Sequence, residues 1–186
     1  MDAIELHDRA LAATTAIVAN VDKSQFDEPT PCANFDVRTL LNHLVGVNYR
    51  FVQIAHGEPG AAVPATGDFV HDDALTPYRE SAAALSEAWS DPLLLEKTVH
   101  MPFGDVPGAF ALGVHTVEAI VHGWDLAKAT GQPTEIEPEL CAVAWQNSKD
   151  IDESFRGPGR PFGPAVTPPP GASDTDKLVA WLGRQP

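Results

Sequence analysis

The chain has 186 residues, 44% of them hydrophobic and 20% charged, a length and balance that fit one globular domain with its own core and exclude a disordered or fibrous protein. Its 26 Asp and Glu against 12 Lys and Arg leave a formal charge of −14 at pH 7, which repels nucleic-acid phosphates and anionic lipid. Asp2, Glu5 and Asp8 stand where a leader peptide would be basic, and no apolar run approaches the ~18 residues a membrane span requires. The expectation is a cytoplasmic protein with no membrane and no nucleic-acid partner.

Ile4, Leu11 and Val18, two turns apart with Val21 close by, predict an amphipathic helix over 2–21. The stretch DEPTPCANF breaks the pattern, and Asp36 is placed to cap a second helix reaching about residue 56, with Val37, Leu40, Leu41, Leu44, Val47, Phe51 and Ile54 on its core side. GEPGAAVPATG reads as an exposed loop, after which Asp72 or Asp73 can cap a third helix through Leu75, Tyr78, Ala82, Leu85 and Trp89. In EKTVHMPFGDVPG, Val99, Met101 and Phe103 alternate before turn residues, which predicts a short hairpin or extended crossover. The longest patterned helix is expected over about 109–130, stopped by Gly131 and Pro133, and a fifth over about 137–155. Six Pro and four Gly between 157 and 174 forbid regular structure there, and DKLVAWLGRQP supplies one terminal helical turn that can dock on the body. The reading is an all-α four-helix bundle over 1–156, followed by a Pro-rich tail over 157–186. The two cysteines, Cys32 and Cys141, fit no paired metal-ligand spacing and read as reduced thiols, Cys32 as a buried structural one.

The chemistry is written in GVHTVEAIVHGWDLAKATG. At about 100° per residue, with Glu118 at zero, His122 falls near 40°, His115 near 60° and Asp125 near 340°, so four ionisable groups share one stripe. Phe110, Val114, Val117, Val121 and Trp124 flank it on one side and Leu112, Ala119 and Leu126 on the other, leaving Gly113, Thr116, Ile120 and Gly123 for water. Such a stripe looks into the bundle, where charged groups must pair, neutralise or bind a cation. Glu118 and His122, one turn apart, can converge on one ion, whereas His115 lies too far along the axis. A third ligand must come from a facing helix. His43 sits at the edge of the second helix's apolar face, and His7 lies between Ile4 and Leu11 on the first. Both qualify. Asp125 can orient a ligating histidine, and Trp124 reads as core or as a substrate platform.

At these residues the chain resembles the DinB/YfiT-like superfamily of metalloenzymes, in the branch related to the metal-binding domain of mycothiol-dependent maleylpyruvate isomerase. The resemblance is carried by PTPCANFDVRTLLNHLVG, VEAIVHGWDLAKATGQP, FGPAV and LVAWLGRQP. It implies a DinB-like bundle and places the metal ligands at His43, Glu118 and His122. It further implies a divalent cation, zinc first, with nickel, iron or manganese also fitting two histidines and a glutamate. Mycothiol would be the thiol cofactor and an electrophilic small molecule the substrate, for S-transfer or isomerisation. Under it, His115 and Asp125 support the ligands or assist proton transfer, and His7, Asn48 and Trp124 belong to the surrounding pocket. In the isomerase a second, C-terminal domain contributes to the active site, and this chain is expected not to contain it. Other readings are a non-catalytic metal or small-ligand module and a metal-dependent hydrolase. A homodimer through a helix face is left open.

Overall fold

The structure is a computed structural model that describes residues 2–33, 35–58, 67–157 and 162–186. The Asp2 carboxylate accepts the Glu5 N–H at 2.8 Å, satisfying one of the donors that a helix start leaves without an intrahelical partner, and helix α1 runs Ala3–Val18. It stops short of Val21 because the Asn20 and Val21 amides bond carbonyls three residues back and Asp22 then caps a separate 3-10 turn at Lys23–Gln25. Asp36 caps α2 (Val37–Ala55) through Thr39 N–H at 2.7 Å. The loop expected over 57–67 lies outside the described residues from 59 to 66.

Of the two acids before α3 (Leu75–Ala88), Asp73 does the capping, accepting the Leu75 and Thr76 amides at 2.9 and 3.2 Å, while Asp72 pairs with Lys23. The hairpin is present: β1 (Thr98–Met101) pairs antiparallel with β2 (Gly104–Pro107), Thr98 opposite Pro107 and Met101 opposite Gly104. It runs directly into α4 (Gly108–Thr130). A Cβ at Gly108 would lie 2.1 Å from the Leu94 carbonyl oxygen, so only glycine permits this junction. Gly131, at φ +70°, ends the helix in the left-handed region.

Helix α5 (Pro138–Ser148) is shorter than its pattern predicts. The Ile151 amide turns back to the Ser148 carbonyl and Asp152 caps a 3-10 turn at Glu153–Phe155, so a local cap ends what apolar spacing would continue. Past the Pro-rich tail, a capping box at Ser173 and Asp176 starts α6 (Asp174–Trp181), two turns rather than the one expected. Leu178, Val179 and Leu182 are buried, α6 packs on α5, and Trp181 donates its indole N–H to the Ser148 carbonyl at 2.8 Å.

Helix α4 is the axis of the bundle: α1, α2 and α5 all pack on it, and α3 backs α2. This corrects one expectation. Gly113, Thr116, Ile120 and Gly123 do not face water but are buried. Thr14 of α1 donates its hydroxyl to the Ala119 carbonyl at 2.9 Å, and a Cβ on Gly123 would sit 2.9 Å from Thr14 Oγ1. A Cβ on Gly113 would sit 2.9 Å from the Asn147 side chain, near the end of α5. The two glycines of this face are places where side chains of α5 and α1 press close on α4. Phe110, expected to flank the polar stripe, lies in the first turn of α4 and is 50% exposed.

Candidate metal centre

The centre is built from two helices. Helix α2, capped at Asp36, carries His43 two turns in, and α4 carries Glu118 and His122 one turn apart. His43 Nε2 and His122 Nε2 lie 3.4 and 3.2 Å from the same oxygen, Glu118 Oε2. One donor atom from each of the three groups falls within 4.8 Å of the others. The two imidazole rings meet edge to face, centroids 5.0 Å apart, and the Phe35 ring packs against His43 at 5.4 Å. The His43 and Glu118 side chains keep 17% and 28% of their surface exposed, so the centre opens outward between them.

Burial works to raise the Glu118 carboxyl, but hydrogen bonds and charge from His122 and His43 outweigh it and hold it well below its ordinary range. Burial likewise works to lower His122, but the carboxylates of Asp125 and Glu118 outweigh it and raise the imidazole to about 9. Without another cation, a proton sits on His122 between two carboxylates. A divalent cation fits the same place, facing two Nε2 atoms and one carboxylate oxygen, which are the donors such ions take.

Behind His122 the structure continues. Its Nδ1 lies 3.0 Å from Asp125 Oδ2, and Asp125, fully buried, is held by Arg184 through Nε at 3.2 Å and Nη2 at 2.9 Å. Arg184 comes from the end of the tail and was not singled out by any pattern, although it lies in the LVAWLGRQP stretch. Cys32 corrects a second expectation. It is half-buried beside the centre, its sulfur within 4.8 Å of ligand atoms of His122 and Asp125, and burial with the nearby Asp125 carboxylate pushes its thiol up to about 11. Its place in PTPCANF, just ahead of the helix bearing His43, is the signal that could have located it.

His115 shares the stripe but not the centre. Ser81 donates its hydroxyl to the Tyr78 carbonyl, so it must accept from Asn48 Nδ2 at 3.0 Å; Asn48 Oδ1 must then accept from His115 Nε2 at 3.1 Å. That leaves His115 Nδ1 to accept from His7 Nε2 at 3.0 Å. The chain therefore fixes His115 as neutral with its proton on Nε2, and burial lowers both rings, His7 to about 4, so that His7 too is neutral at pH 7. His7 and Asn48 thus sit in a sealed polar chain rather than on an open pocket wall. Trp124 faces away from the centre: with Thr14, Gly123, Ile136 and Leu140 it lines a separate cavity of about 190 Å³ between α1, α4 and the start of α5.

Fold and donor set together define a bundle of the DinB-like kind, with two histidines and one carboxylate converging from two helices. The profile of the mycothiol maleylpyruvate isomerase N-terminal domain family matches residues 7–127. The chain belongs to that family. Two uncharacterized proteins of Mycobacterium tuberculosis, from strains CDC 1551 / Oshkosh and ATCC 25618 / H37Rv, are each 34% identical to it over 185 residues, covering 99% of this chain and 98% of theirs. The crystal structure of the mycothiol-dependent maleylpyruvate isomerase superposes with a TM-score of 0.64 at 18% identity, over 78% of this chain and 65% of that one. A variant of that enzyme with one histidine changed to alanine gives the same TM-score at 17% identity. These last two likenesses are of fold, and the match spans about two thirds of the isomerase chain.

Proposed function

We propose that the chain binds a divalent cation through His43, Glu118 and His122 and uses it to activate a small thiol of the mycothiol type against an electrophilic small molecule, in S-transfer or cis–trans isomerisation. The observation that carries this reading is the convergence of two imidazole Nε2 atoms on one partly exposed glutamate oxygen between α2 and α4. Zinc suits the donors best, and nickel, iron or manganese also fit them. When bound, such an ion lowers the pKa of a coordinated thiol, making a nucleophile at neutral pH.

The chain's own residues prepare that chemistry. Asp125 holds the His122 Nδ1–H and so turns Nε2 toward Glu118. Phe35 fixes the His43 ring and keeps the rim apolar. Glu118 supplies the single negative charge among the three donors, so a divalent cation there keeps a net positive charge that favours an anionic thiolate. His115, with both nitrogens engaged, supports the helix behind the donors rather than moving protons at the centre. Two free thiols and the absence, among the described residues, of a helix able to span a membrane accord with a reducing cytoplasmic setting. The bundle over 1–156 contains all three donors, and the tail over 157–186 supports them through Arg184.

The test is elemental analysis of the purified chain, followed by thermal unfolding of the zinc-loaded protein against rising mycothiol. About one equivalent of metal and a melting temperature that climbs with thiol concentration are expected. Metal without a thiol response favours the hydrolase or the non-catalytic module, and no metal removes the reading altogether.

A further inference from the structure

We infer that Arg184 is a positioning residue of the metal centre: by gripping Asp125 it sets the orientation of His122, and so ties the docking of the C-terminal tail to cation binding. The inference deepens the reading above and rests on it.

Three features carry it. Arg184 presents Nε and Nη2 side by side to the two oxygens of Asp125, the two-pronged geometry by which a guanidinium fixes the plane of a carboxylate. Both groups are buried, Arg184 at 6% exposure, so water competes little for either. Asp125 Oδ2, one of the two gripped oxygens, is the atom that faces His122 Nδ1, so rotation of the carboxylate would turn the ring.

The tail is built to deliver this side chain. After α6 the chain turns at Gly183, with φ +83°, and a Cβ there would come within 2.7 Å of the Gly163 backbone, so the two segments lie this close only because position 183 is glycine. The Arg184 amide then bonds the Val179 carbonyl at 2.9 Å, and its Nη1 bonds the Leu182 carbonyl at 2.9 Å, leaving the other edge of the guanidinium for Asp125. Arg156, itself buried, bonds the Gly163 and Trp181 carbonyls at the same place. A surface arginine needs none of this.

The test uses the full chain and zinc alone. Arg184→Lys keeps the charge and loses the fork, so any loss reports geometry rather than electrostatics. Zinc affinity, measured by competition with a chromophoric chelator, should fall about tenfold or more, as when other outer partners of ligating histidines are removed. Asp125→Asn should lose a comparable amount, and adding Arg184→Lys to it should cost nothing further, because the two act through one path. Hydrogen exchange of the unaltered protein gives an arm that needs no variant: because coupling is reciprocal, zinc should slow exchange of the Arg184 amide. Unchanged affinity in R184K, an equal loss from R184K in the Asp125→Asn background, or Arg184 exchange indifferent to zinc would overturn the inference. If the unaltered chain binds no zinc, it is the metal reading itself that fails.

Discussion

His115 and His122 lie two turns apart on one face of α4, yet they end in opposite states. His115 is walled in by α1 and α2, its nitrogens shared with His7 and Asn48, and burial with a second imidazole beside it keeps it neutral. His122 is nearly as buried, yet carboxylates on both sides hold it charged up to about 9. Burial is common to both, so it is the partner that sets the charge. A neutral histidine chain closes one end of the stripe, while at the other the carboxylates draw a positive charge, which a proton on His122 supplies and a metal ion would supply by displacing that proton.

That contrast can be broken in graded ways. The largest effect is expected from His122→Ala, which should take bound metal from about one equivalent to background in elemental analysis while the circular dichroism of the bundle is retained. Next comes acid. The unfolded chain takes up a proton on His7 once pH falls below its ordinary 6.5, whereas the folded chain resists until about 4. Stability from this group is therefore full above 6.5 and drains as pH falls toward 4, by about 3 kcal/mol in total at about 1.4 kcal/mol per pH unit. Urea unfolding across that range should show the slope, and it should flatten in His7→Ala.

At neutral pH, His7→Ala itself should cost about 2 kcal/mol, since it leaves His115 Nδ1 without its donor and opens a small void, and zinc affinity should be retained. The smallest effect is expected from Asp36→Ala, which removes the cap of the helix bearing His43. Chemical unfolding should register a loss of about 1 kcal/mol, with the metal stoichiometry unchanged. If His7→Ala instead abolished metal binding, the two ends of the stripe would not be separable.

Much of the fold was legible because its signals are local. Asp36 and Asp73 are caps that act within a few residues, and the alternation at Val99 and Met101 opposite a glycine-containing turn is a hairpin at short range. The early end of α5 was missed because apolar spacing runs on past Ser148 while the competing signal is one Asp152 cap. At the site, Glu118 and His122 follow from one helical turn. Arg184 and Cys32 do not, since 59 residues separate Arg184 from Asp125, and no periodicity spans that gap.

The amino-acid order alone determined which face of each helix is apolar, where most helices begin, and that Glu118 and His122 project together, because these depend on rotations of about 100° per residue and hydrogen bonds within one turn. Tertiary packing decided the rest: that α1, α2 and α5 all close on α4, that His43 rather than His7 stands opposite Glu118, that His7 donates to His115 inside the core, and that the tail brings an arginine to Asp125. Those outcomes depend on which surfaces of separate elements meet, and a contact between distant residues exists only once the chain has closed around it.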